Sequence, residues 1–160
     1  MVNLYRVIDN LISLVDNKYE QLQEVYLLTI EQTAVIEEID MDALLELVDK
    51  KQQKIDLIVN YDSQFEAITD DIKTIYDVKS LDELEAPDTN LELLKDKISR
   101  VTDILHQIIQ IENGNRELIT EAKQLLEKKM SKAKTGKVAI KQYAGVSGYA
   151  DAVFFDRKIK

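Results

Sequence analysis

Residues 91–126 read LELLKDKISRVTDILHQIIQIENGNRELITEAKQLL. No proline interrupts them, and their one glycine is Gly114. Leu91, Leu94, Ile98, Val101, Leu105, Ile108, Ile119 and Leu126 recur at spacings that put them on one side of a helix. Beside them runs a second line: Ile104, Ile111, Leu118, Ala122 and Leu125. The two lines together sweep about 200° of the helix surface, against the ~100° of an ordinary surface helix. A helix of this kind has apolar surface for more than one neighbour. Two readings follow, and both can hold at once. The helix touches both others of a three-helix bundle, or part of its second line borders an open groove that accepts a partner's helix. Under the second reading the client-binding candidates are Ile104, Ile111, Leu118, Ala122 and Leu125. Glu112 and Asn115 are polar intrusions in this apolar surface. Such a group fixes helix register at a cost in stability, or faces the groove.

Upstream, Thr89-Asn90-Leu91-Glu92 has the spacing of a capping box, so the helix is expected to start near residue 90. Pro87 ends whatever precedes it. Ser80-Leu81-Asp82-Glu83 repeats the capping spacing and predicts one short helical turn inside the 77–89 connection. Further back, Leu44, Leu45, Val48, Ile55, Ile58, Tyr61, Phe65, Ile68, Ile72 and Ile75 keep mostly helical spacing, with Lys51 and Gln52 interrupting the stripe. In the first segment Ile8, Val15 and Leu22 recur every seven residues, with Leu4, Leu11 and Val25 interleaved and Lys18 in one such place. This is the heptad pattern of a helix packed along its length. Between the first two segments lies Ile39-Asp40-Met41-Asp42, with no Gly or Pro. Asp40 or Asp42 is suited to cap the next helix. A turn here lets the second helix fold back and bury both stripes; a continuous kinked helix is the competing reading.

The expected fold is therefore all-α: an antiparallel, coiled-coil-like bundle of three long helices over about 2–37, 42–76 and 90–130. Residues 131–160 form a separate tail, which holds Gly136, Gly145 and Gly148 and both Phe154 and Phe155. Its helical periodicity is poor. Val138 and Ile140 alternate like a short strand, and Val153–Phe155 is a candidate for a second.

The chain has 160 residues and a net charge of −9. Residues 1–130 hold 28 acidic and 14 basic residues; residues 131–160 hold two acidic and seven basic ones. An acidic body repels a phosphate backbone, so the helices are not expected to bind nucleic acid. With no cysteine, disulfides, thiolate metal sites and cysteine catalysis are excluded. The only histidine, His106, cannot supply the paired Glu-x-x-His motifs of a di-iron bundle or a credible catalytic triad. Lys134-Thr135-Gly136-Lys137 lacks the first glycine of a phosphate loop. No enzymatic activity, cofactor or metal is expected. No apolar run approaches the ~18 residues of a membrane span, and Met1–Arg6 lacks the pattern of a signal peptide. A cytoplasmic location is expected, while monomer and homodimer are both compatible with the residues. Tyr143, Tyr149, Phe154 and Phe155 sit among lysines, a composition suited to docking on an acidic or apolar cleft.

The order of parts resembles the FlgN-type flagellar type III export chaperones, which serve the hook–filament junction proteins. The likeness lies in the long first helix, the acidic turn, Ala43-Leu44-Leu45-Glu46-Leu47-Val48-Asp49-Lys50-Lys51-Gln52, and Asn113-Gly114-Asn115-Arg116-Glu117-Leu118 in the third helix. It continues in Gln142-Tyr143-Ala144-Gly145 and Phe155-Asp156-Arg157-Lys158 of the tail. The resemblance implies a chaperone that covers the C-terminal helix of a hook-associated junction protein and so prevents premature assembly. It further implies docking at a component of the export gate, through a tyrosine of the C-terminal segment; Tyr143 and Tyr149 are the candidates here. The alternative from the residues alone is a coiled-coil scaffold that self-associates through the same stripes.

Overall fold

The computed structural model describes residues 3–87 and 89–131. Its elements are α1 (Leu4–Glu37), α2 (Met41–Tyr76), a 3-10 turn (Leu81–Glu83) and α3 (Leu91–Met130). The expected three long helices are there, and among the described residues there is no strand. The strands considered at Val138–Ile140 and Val153–Phe155 lie outside the described residues. No described helix is long and apolar enough to cross a membrane.

The break after α1 is a real turn, not a kink. Asp40 N–H donates to Val35 O and Ile39 N–H to Ile36 O, each at 3.0 Å. This crossed pair is the Schellman closure of a helix end. It places Ile39 in the left-handed region, at φ 55°, although a β-branched residue pays for that conformation. Asp40 then caps α2, its Oδ1 accepting from Ala43 N–H at 3.1 Å. α2 ends in the same way: Asp77 has φ 51°, and Val78 N–H reaches back to Lys73 O.

The two capping boxes form differently from their spacing. Ser80 makes no side-chain cap; instead Glu83 accepts the Lys79 amide at 2.7 Å. The Thr89 hydroxyl donates to Ala86 O at 2.7 Å and so is committed to the preceding turn. α3 therefore opens one residue later, with Leu94 N–H donating to Asn90 O.

The described residues divide into two compact units, those up to 23 with those of 54–104, and 24–53 with 105–131. In the first, Ile8, Leu11, Val15, Leu22, Ile72, Leu91, Leu94 and Val101 are buried. Leu84 of the connection joins that core. Asn90 donates to Asp9 and Lys97 pairs with Asp16, and both partners stand 81 residues apart. A constant separation means that α1 and α3 run in the same direction here. Lys18, the polar residue of the first heptad line, pairs with Asp62 of α2 at 2.7 Å. These ion pairs keep half-exposed carboxylates and contribute little stability.

In the second unit the turn at Glu38–Asp40 sends α2 back antiparallel to α1. Ile36, Leu44, Val48, Ile119 and Ala122 form its core, with Ile39, Leu118 and Leu126 packed against the edge.

Candidate functional site

Of the functional candidates that the structure describes, Ile104 belongs to the first unit and the others to the second, where a polar layer crosses the core. The Lys51 side chain is fully buried. Its ammonium lies 2.6 Å from Glu112 Oε1 and 2.7 Å from Gln32 Oε1. A residue that only interrupts a stripe in one helix thus ties all three together. Burial pushes the Lys51 ammonium down from 10.5 to about 8, against the Glu112 carboxylate, which pulls it upward. Asn115 adds a second link: its amide donates to Thr29 O at 3.1 Å, and its Oδ1 accepts from the Thr33 hydroxyl. Both polar intrusions on α3 are therefore engaged within the bundle. This is the arrangement expected of register-fixing groups, since a slip of either helix would strand buried polar atoms.

Beside this layer, α1 and α3 border an open groove of about 550 Å³. Ile30, Thr33, Ala34 and Glu37 form one wall; Ile111, Gly114, Asn115 and Leu118 form the other. Thr33 and Asn115 bond to each other at its base, so the surface offered to an occupant is mainly aliphatic. Ile30 remains 43% exposed. Leu27, which precedes it by three residues, is 59% exposed. Exposed side chains of this size next to a concave apolar surface are the usual mark of a binding site.

The five sequence candidates fall into three groups. Ile111 and Leu118 line the groove. Leu125 is 45% exposed and follows Leu118 by seven residues, so it extends the same helix face. Ile104 and Ala122 are buried, and Ala122 belongs to the core cluster of the second unit. The bundle thus covers part of the second line and leaves part of it open. The opposite wall, Ile30, Ala34 and Glu37, was not legible as such. Its signal was faint: Leu27 and Ile30 lie outside the Ile8–Val15–Leu22 line and do not belong to the buried seam. Tyr143 and Tyr149 lie outside the described residues. His106 is exposed, and no cluster of three or more potential metal ligands occurs among the described residues.

Comparison with curated proteins and with solved structures finds no match. The family model described as FlgN protein matches residues 1–145, which takes in all three helices and the start of the tail. That family is one of flagellar export chaperones that bind hook-associated proteins, not of enzymes. With the three helices in place and the match running through them, the chain belongs to the FlgN family.

Proposed function

We propose that this chaperone acts in the cytoplasm by seating the C-terminal helix of a hook-associated junction protein in the α1–α3 groove. The observation that carries this reading is the groove itself: an aliphatic surface flanked by exposed Ile30 and Leu125. An amphipathic helix supplies anchors at i, i+3, i+4 and i+7, which suits such a groove. Covering the client helix keeps its apolar face from pairing with other subunits before export. Ile111, Leu118 and Leu125 touch the client, while Ile104 and Ala122 hold the helix that presents them. Docking at a component of the export gate falls to the basic tail. The family match reaches Gly145 and so includes Tyr143 but not Tyr149, which favours Tyr143 as the docking residue.

Size-exclusion chromatography of the chain co-expressed with each hook-associated junction protein of the same organism tests the reading. A stable complex with at least one of them is expected. Leu125→Asp removes that complex while leaving the helical circular dichroism unchanged, because Leu125 is half exposed in the free chain. Absence of any complex, or a complex indifferent to Leu125→Asp and Ile30→Asp, contradicts it.

A further inference from the structure

Gly114 lies well inside α3, a helix of 40 residues. Among residues other than proline, glycine is the poorest helix former. Nothing in the chain requires it there. Its φ is not positive, and a Cβ built on it meets no atom within 4 Å. It is, however, part of the groove wall.

The walls have a pattern. Ile111, Gly114, Asn115 and Leu118 stand at i, i+3, i+4 and i+7 of α3, and Ile30, Thr33, Ala34 and Glu37 stand at the same spacing in α1. Four residues so spaced outline the hole that receives one side chain of a facing helix in knobs-into-holes packing. Two such holes side by side are the seat of a further helix. Gly114 is exposed, and in the α3 hole its missing Cβ widens the side on which a knob would enter.

We propose that Gly114 forms one side of a specificity pocket, in which one large apolar side chain of the client helix is buried. This rests on the groove being the client site. The occupant is an amphipathic helix with a basic residue beside Glu37, the ionisable side chain of the groove walls. Residues 1–130 carry twice as many acidic as basic residues, so a second copy of the same body is a poor occupant. The chain's own tail is basic, but Gly136, Gly145 and Gly148 break up the helical spacing that the holes demand.

The experiment measures fluorescence anisotropy of labelled peptides, each the C-terminal helix of one hook-associated junction protein of the same organism. They are titrated with the full chain and with Gly114→Ala, Gly114→Leu, Thr120→Leu and Leu125→Asp; melting temperatures and light scattering are taken for each. Thr120 is exposed and lies on the far side of α3 from Leu118. Gly114→Ala is expected to melt a few degrees higher than the wild type and to bind several-fold more weakly. Gly114→Leu, which fills the hole itself, is expected to lose more than tenfold in affinity, and Thr120→Leu to bind as the wild type does. Should Gly114→Leu lower the melting temperature, the comparison rests on Gly114→Ala. Wild-type affinity in both Gly114 variants, with binding still lost in Leu125→Asp, overturns the pocket and leaves the groove reading intact. Binding that also survives Leu125→Asp, or no binding by the wild type, overturns both. A dimer in light scattering that Gly114→Leu dissociates overturns the proposal in favour of a second copy.

Discussion

Lys51 shows how little a charge in one helix reveals about its partners. In the sequence it breaks an apolar stripe; in the fold its ammonium is enclosed between Glu112 and Gln32. Removing one member of such a pair takes the buried counter-ion from the other, which typically costs about 3–5 kcal/mol. Lys51→Ala is therefore expected to lower the stability measured by urea unfolding by roughly that amount. Replacing the pair together, Lys51→Met with Glu112→Leu, is expected to cost much less. The pH dependence has a definite sign. Lys51 is protonated in the unfolded chain up to about 10.5, but only up to about 8 in the folded one. Between those values the unfolded state binds more protons, so stability rises with pH. Below about 8 the folded chain bears the full cost of the enclosed charge. The difference in unfolding free energy between the wild type and the double variant, Lys51→Met with Glu112→Leu, should thus climb between pH 8 and about 10.5; a falling difference would contradict the assignment.

The helices themselves were the most legible feature, for a physical reason. Ile8, Val15 and Leu22 recur at the heptad interval and all three are buried, because a long helix can bury only a stripe. Their ends were harder to place. Thr89 has the right spacing for a cap, yet its hydroxyl is taken by Ala86 O, a competition that spacing alone does not reveal. The α1–α2 turn had no glycine to announce it, since Ile39 takes the left-handed conformation itself and packs against the core cluster. Strain and burial oppose each other there, with the left-handed backbone costing about 1–2 kcal/mol. A partly buried isoleucine returns a comparable amount. Ile39→Gly is accordingly expected to shift stability by less than ~1 kcal/mol. Ile36→Ala, in the centre of the same cluster, is expected to cost about 2–5 kcal/mol. Asp40→Ala removes the cap on Ala43 N–H and should cost about 1 kcal/mol. Thermal melts of the three variants check the order.

The excess apolar surface of α3 was legible as an excess, but its division was not. Periodicity counts the apolar faces of one helix; it does not say which face a neighbour covers. The bundle takes Ile104 and Ala122 into its interior and leaves Ile111, Leu118 and Leu125 at or beside an open groove. The second wall comes from α1, whose contribution depends on how two helices distant in sequence run side by side. A client helix laid in that groove would complete a fourth position around the same core, which is why a chain with no catalytic constellation among its described residues can still be specific. Methyl NMR of the chaperone bound to a hook-associated protein tests this most directly. Intermolecular NOEs from the client to the methyl groups of Ile30, Ile111 and Leu118 are expected, with none to Ile75 or Ile109. A tight complex whose NOEs avoid Ile30 and Leu118 would contradict the account.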